Sequence, residues 1–465
     1  MVQGAVLLMT VAVLVLPVVA VRRLPEVERR SLWLVLAVAL GVRLAAALVL
    51  HATGAWQLTG RGAVTPDEAT VDLAARLLAR GDDRSPVVLG GSLHTTWLLV
   101  SWSVYDLLWN SLLAIKLLNV LLGTALVVPV YLVARELHSP GAARLAAWLV
   151  ALFPAAVVWS ALALRESLLA LLLASLVLLA VTRVPRRPEA AAGWVGLAVS
   201  ALTVLAFTRS YMTPLMIAVL LGAAVLRRTG RWTQLAGAVI AAALSLGVIA
   251  ALPTGQETLR VTVALVAEPA GSLYNPLSDC DEPSDCSAQA DPRSAAAGGS
   301  ALPGSSLEGR GSGSGEEDEL SSSLQSIGEK GVLRAFAIAT LAGRPVWRTQ
   351  EFFLLLQPGV VMWWALLPVI ALGSIVLARR RPDAAVATAG YAAAVVVFLA
   401  VTGQFIRHHY MLEPVALALA GVGVVEVRER LRAGGSQRAA KTVVGGSIVM
   451  AAAAVASVVA SLVRP

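Results

Sequence analysis

The sequence predicts an all-α polytopic membrane protein that crosses the bilayer about twelve times. Three observations carry this expectation. Hydrophobic residues make up 57% of the 465 and charged residues only 14%, where a soluble chain carries about 25% charged residues. The apolar residues gather in blocks of about 20, the helical length needed to cross a hydrocarbon core of roughly 30 Å. The blocks are uniformly rich in Ala, Leu and Val, without the alternation that the strands of a membrane barrel require.

The first block, 4–21, has no basic residues before it and no small-residue cleavage site, and basic residues follow it. It is expected to be a retained span with its N-terminus outside. Further spans are expected near 31–51, 112–134, 145–160, 165–183, 193–208, 211–228, 232–252, 353–378, 384–402, 409–427 and 442–462. Threading them brings the arginine clusters to one side: Arg22-Arg23, Arg29-Arg30, Arg135, Arg144, Arg183 with Arg186-Arg187, Arg227-Arg228 with Arg231, Arg379 to Arg381, and Arg428 to Lys441. The positive-inside rule makes that side cytoplasmic and the protein a multi-pass component of the cell membrane. The formal charge of +8 therefore reports topology and contact with anionic lipid. No basic face interleaved with aromatics is present, which argues against a nucleic-acid partner. Scarce lysine beside abundant Ala, Val and Arg points to a high-GC bacterium.

Residues 94–110 are apolar enough to span, yet a crossing there would invert every later loop. They carry His94, Asp106 and Asn110 among Trp97, Trp102 and Trp109, a composition suited to headgroup depth. A helix lying in the outer interface is expected. The chain then divides into an N-terminal span and turn (1–30), a membrane core (31–252) with its outer loop 52–111, a long outer loop (253–352) and C-terminal spans (353–465). A Gly/Ser/Ala-rich tract near 287–327, with the acidic run Glu316 to Glu319, buries too little apolar surface to fold. Cys280 and Cys286 lie in the same loop; two thiols make at most half a zinc site, and on the outside they read as a small disulfide ring.

Four charged groups stand on the outer side. Thr65-Pro66-Asp67-Glu68 reads as a capping box: Thr at N-cap, Pro at N1 and acids in the first turn. An amphipathic helix should follow it, with Val71, Leu73, Ala74, Leu77 and Leu78 set against Asp72, Arg76 and Arg80. Such a start also fixes a carboxylate rigidly at the lipid–water boundary. Arg165-Glu166 is either a snorkelling pair or an ionisable pair kept near hydrocarbon for function. Arg407-His408-His409 and Arg209 are either solvated turns or anion sites, where the guanidinium fork and imidazole donors suit phosphate oxygens. The two histidines lack a third ligand at defined spacing, so no metal ligands are assigned.

Four segments, in order, resemble the lipid-phosphosugar-dependent glycosyltransferases of the GT-C fold, especially family 39, its protein O-mannosyltransferases, and the aminoarabinose transferases. They are Asp67-Glu68 opening the first outer loop; Lys116 to Thr124 (KLLNVLLGT) running on to Tyr131–Arg135, similar to the family's RL-N-LLGT…VYL..R span; Ala161 to Leu169 around Arg165-Glu166-Ser167; and the turn from Arg407 to Pro414. The family's Pro-Pro dipeptide is absent, with Ser92 to Thr96 in its place, and one N-terminal span is extra.

The resemblance implies GT-C architecture with outer-face interfacial helices. It implies inverting transfer of a sugar from a polyprenyl-phosphate donor to an acceptor hydroxyl of a protein, lipid or glycan in the cell envelope. Asp67 would be the general base, with Glu68 and Glu166 beside it and Arg165, Arg209, Arg407, His408 and His409 as cations for the donor phosphate. No cofactor is certain, and metal assistance stays open, since Asp67, Glu68 and Glu166 could form an all-oxygen site for a divalent cation. A transporter, a lipid-linked sugar flippase or a non-catalytic envelope assembly protein shares the many-span signature. A transporter also predicts inverted repeats and mid-bilayer charges. This chain has no evident repeat, and its ionisable residues collect toward one face.

Overall fold

The polar backbone of an apolar segment has only itself to bond with in lipid, and the described part of the chain answers with helices. The computed structural model describes residues 10–13, 15, 19–54, 62–81, 95–107, 110–185, 187–210, 212–227, 230–251, 356–401, 410–432 and 437–463. These belong to one folded unit, Met1–Arg260 with Arg334–Pro465; a second unit, Val261–Leu333, lies outside the described residues. So do Cys280, Cys286 and almost all of the expected outer loop 253–352. Of the expected first span, only 10–13, 15 and 19–21 are described, and these are helical.

The elements are α1 (Glu26–Thr53), α2 (Pro66–Ala79), α3 (Thr95–Leu107), α4 (Leu112–Ala125), α5 (Val127–Leu137), α6 (Pro140–Leu152), α7 (Pro154–Ser160), α8 (Glu166–Val181), α9 (Pro188–Thr208), α10 (Met212–Leu226), α11 (Arg231–Ala251), α12 (Gln357–Arg380), α13 (Pro382–Val401), α14 (Glu413–Arg432) and α15 (Gln437–Val463). Among the described residues, five stretches are long and apolar enough to cross a membrane: α1, α4 with α5, α9, α11 and α12. The pair α6–α7 makes a sixth if its 56° bend lies within one crossing. The other apolar helices, α8, α10, and parts of α13 and α15, are shorter than that length. The chain is thus a multi-pass helical membrane protein.

The centre of the bundle is α8. Every residue from Glu166 to Val181 except Leu178 is buried, as expected of a helix apolar on all sides. It packs against α4, α5, α7, α9, α10, α13 and α14. Around it, α12 lies on α14 and α15, α5 on α6, and α9 on α11. The α12–α14 crossing is close because glycines sit at it. A Cβ built on Gly373 would fall 2.1 Å from the Leu419 carbonyl oxygen, and one on Gly423 would fall 2.1 Å from that of Val369.

The bend between α6 and α7 has a local cause and a distant remedy. Pro154 has no N–H for the Val150 carbonyl, and the turn also releases the Ala151 carbonyl. Arg43 of α1, fully buried, supplies both: Nη2 donates to Val150 O at 2.8 Å and Nη1 to Ala151 O at 2.9 Å. A third bond, Nη1 to Ala39 O at 3.3 Å, ties the guanidinium to its own helix. A charged side chain deep in an apolar span is thereby accounted for by two orphaned carbonyls.

The basic ends of the helices meet at one end of the bundle. Glu28 accepts from Tyr131 and Arg135, Glu426 from Arg380 and Arg430, and Glu136 from Arg381. The end of α8 is held there too, since Arg227 donates to Ala180 O, Gln234 to Leu179 O and Arg381 to Val181 O. His138, Glu426 and Glu429 of this end lie close enough to share a cation. Two arginines already bond both Glu426 oxygens, and Arg380 Nη1 lies 2.9 Å from His138 Nε2, so the trio is built as an ion-pair network.

Candidate active site

The first outer loop begins as its sequence requires. Thr65, with extended backbone, caps α2; its hydroxyl accepts from Glu68 N at 3.3 Å, and Pro66 stands at N1. The Glu68 side chain completes the cap one residue further back than the usual box, accepting from Val64 N at 2.7 Å. Gly81, with φ of +73°, follows the helix end in the left-handed region that glycine favours.

The other Glu68 oxygen reaches across the structure. Oε1 accepts from Ala163 N at 2.6 Å, in the turn that joins α7 to α8, and lies 3.3 Å from Lys116 Nζ of α4. Lys116 also donates to Gly62 O at 2.8 Å, and both charged side chains are fully buried. Three further bonds converge on the same turn. Asn119 Nδ2 donates to Trp159 O at 3.1 Å and to Leu162 O at 2.6 Å, and Trp97 Nε1 of α3 donates to Ala163 O at 3.0 Å.

These contacts explain the KLLNVLLGT segment in physical terms. Lys116, Asn119 and Gly123 recur at helical spacing on one face of α4. Lys116 holds the start of α2, Asn119 satisfies the turn's carbonyls, and Gly123 makes room for α7. A Cβ on Gly123 would lie 2.4 Å from Ser160 Cβ and 3.3 Å from Arg43 Nε.

The turn so held carries Arg165 and Glu166, both buried. Glu166 Oε2 is buried and accepts no hydrogen bond among the described residues. Tyr410, fully buried, lies within electrostatic reach of Arg43, Glu413 and Glu166, and its neighbour Met411 is held through Tyr391, whose hydroxyl donates to the Met411 carbonyl. Arg209 caps the end of α9, which packs on α3, and Asp67 is partly exposed in the first turn of α2. The structure therefore brings Asp67, Glu68, Arg165 and Glu166 to one end of the bundle around one turn, with Arg209 at that end. Arg407, His408 and His409 lie outside the described residues.

Two expectations need correction. The amphipathic faces of α2 were expected to place Leu73 with the apolar residues and Asp72 with the polar ones. Leu73 is exposed, and Asp72 is buried. The reason is a polar lock: Asp72 accepts from the Tyr105 hydroxyl of α3 and from Arg76 Nε at 2.9 Å, and the Arg76 guanidinium lies 5.3 Å from the centre of the Tyr105 ring and donates to Asn110. Burial, with the carboxylate that it faces, pushes the Tyr105 phenol well above its usual range, so it remains a donor. Glu68 also does not fit a divalent-cation set, since its oxygens are engaged by two backbone N–H groups and an ammonium.

Sequence reasoning did not single out Arg43, Lys116 as a buried cation, Asn119 as a turn staple, or Tyr105. Arg43 had one signal, a lone arginine inside an otherwise apolar block.

No family model and no curated protein sequence matches the chain. Solved structures do. The archaeal oligosaccharyltransferase AglB from Archaeoglobus fulgidus, in complex with an inhibitory peptide and a dolichol-phosphate, overlays with a TM-score of 0.52 at 13% identity, covering 93% of this chain and 56% of that one. The Archaeoglobus fulgidus oligosaccharyltransferase in complex with Zn and sulfate gives a TM-score of 0.51 at 14% identity, over 91% of this chain and 52% of that one. ArnT from Cupriavidus metallidurans bound to undecaprenyl phosphate gives 0.47 at 15% identity, over 86% and 61%, an overlay too loose to build on. The chain spans about half the length of the oligosaccharyltransferase it overlays, and with it shares the GT-C fold that its motifs resemble.

Proposed function

We propose that the chain is an inverting glycosyltransferase of the cell membrane, taking a sugar from a polyprenyl-phosphate donor and passing it to an acceptor hydroxyl on the extracytoplasmic side. The observation that carries this reading is the bond from Ala163 N to Glu68 at 2.6 Å, which seats the helix start bearing Asp67 against the turn bearing Arg165 and Glu166. An acid and a cation meeting at the end of a helical bundle suit a reaction that removes a proton from one oxygen and leaves negative charge on another.

The acceptor oxygen attacks the anomeric carbon from the face opposite the phosphate. Asp67 takes the hydroxyl proton as the new C–O bond forms. The bond from the anomeric carbon to the phosphate oxygen breaks, and polyprenyl phosphate leaves as a monoester carrying one further negative charge. Arg165 and Arg209, joined by Arg407, His408 and His409 from the late turn, stabilise that charge. Glu166 offers its buried Oε2 to the acceptor, while Glu68 holds the helix start. A divalent cation, if it takes part, would have Asp67 and Glu166 as its acidic oxygens. The overlay with an oligosaccharyltransferase supports the reaction class through the fold.

The test is transfer itself. Membranes holding the wild-type chain should release polyprenyl phosphate from a radiolabelled polyprenyl-phosphate sugar, and Asp67→Asn should abolish this while inserting normally. Transfer by Asp67→Asn at near wild-type rate would remove Asp67 from the role.

A further inference from the structure

Lys116 and Glu68 form an ion pair with no exposed surface on either side chain. Such a pair is poor evidence of stability, because removing two charges from water offsets most of their attraction. An apolar pair of the same volume would hold the helices together as well. What it could not supply is direction. The Glu68 carboxylate accepts from Val64 N at 2.7 Å and from Ala163 N at 2.6 Å, and Lys116 reaches past it to Gly62 O at 2.8 Å. The strand of chain entering α2, the first turn of α2, α4 and the 161–165 turn thus meet at one planar carboxylate and one ammonium. Two donors on opposite oxygens fix both the distance of α2 from the turn and its rotation about its own axis.

Asp67 is the residue next to this bracket. A carboxylate sits about 5 Å from a helix axis, so a rotation of roughly 10–15° moves it by about 1 Å. A displacement of that size can cost about 100-fold in rate. We infer that Lys116 and Glu68 are a positioning pair that sets the rotation of α2 and so aims the Asp67 carboxylate. The inference rests on the reading of Asp67 as the base.

The experiment uses the full chain in native membranes, which supply the acceptor, with polyprenyl-phosphate mannose as donor, alongside amide hydrogen exchange on the purified chain. Lys116→Met should lower kcat by about 10- to 100-fold with the donor KM changed less than about twofold, and should speed exchange across residues 62–72. Combining Lys116→Met with Glu68→Gln removes the uncompensated charge but sets an amide NH2 against one of the two backbone N–H donors, so thermal stability should return in part while kcat stays low. If kcat returns together with stability, the lysine is only a countercharge and the inference fails. Unchanged exchange in Lys116→Met also overturns it. Absence of transfer by the wild-type chain would overturn the proposed reaction with this donor, and transfer by Asp67→Asn at near wild-type rate the base assignment, outcomes told apart because neither involves a change at Lys116.

Discussion

Gly123→Ala puts the packing of the α4 face to a quantitative test. In a helix interior this change normally stabilises by about 0.5–1 kcal/mol, because alanine loses less backbone entropy than glycine. Here the new methyl would stand 2.4 Å from Ser160 Cβ and 3.1 Å from its hydroxyl oxygen. Ser160 ends α7, whose position is fixed by the Asn119 bonds to the next turn, so the contact must be relieved by moving backbone. Overpacking of this kind costs about 1–3 kcal/mol. Gly41→Ala in α1 is the matched control, since a Cβ there meets nothing within 4 Å. The two variants should differ by about 1–3 kcal/mol in unfolding free energy in detergent, with Gly123→Ala the less stable. Gly123→Ala should also reduce transfer, since Ser160 directly precedes the turn that carries Arg165 and Glu166. Equal stability of the two variants would refute the argument that Gly123 is required by the approach of α7.

Arg43→Met should leave two buried carbonyls without donors and cost about 2–6 kcal/mol at about 1–3 each, measured by thermal unfolding; a loss below 1 kcal/mol would mean that the bend is satisfied some other way. Glu28→Gln, at a site where Arg135 is 38% exposed, should by contrast change stability by no more than about 1 kcal/mol. Tyr105→Phe should leave Asp72 with Arg76 alone and raise hydrogen exchange in α2 and α3, while a matching change at the basic end should not. In a chain with both cysteines replaced by serine, Asp106→Cys should react with an impermeant maleimide from outside intact cells, and Arg231→Cys only after permeabilisation; the reverse pattern would invert the topology.

Where a property depends on neighbours in sequence, it was readable. The Thr65-Pro66 cap, the helix that it opens and the end at Gly81 all follow from residues within one or two turns. So do both ends of α9 and the start of α11, where apolar runs stop at arginines. The break in the segment expected as one span at 145–160 could have been placed from Pro154 alone. What local pattern did not give is the pairing across the bundle. Asp72 looks like the polar face of an amphipathic helix, and only the Tyr105 hydroxyl, 33 residues on, makes burial its better place. Arg43 is a single charge within an apolar block, and the carbonyls that justify it are more than 100 residues away. The likeness of KLLNVLLGT to a known family pointed to the right helix; which backbone groups its Lys, Asn and Gly serve is a property of the folded turn.

The burial of α8 bears on how the protein meets membranes of different thickness. With 16 residues, it is about 24 Å long, less than the roughly 30 Å of hydrocarbon around it. It need not match that depth, because protein surrounds it on every side. The helices whose apolar side chains stand exposed, such as Leu48 and Val49 of α1, Leu244 of α11 and Ile448 and Val449 of α15, are the ones that must tilt when the bilayer thins or thickens. Hydrophobic mismatch is thus absorbed at the rim, while the helix that starts with Glu166 keeps its seat. Activity should accordingly vary little between vesicles of short and long acyl chains, even where the tilt of α1 changes.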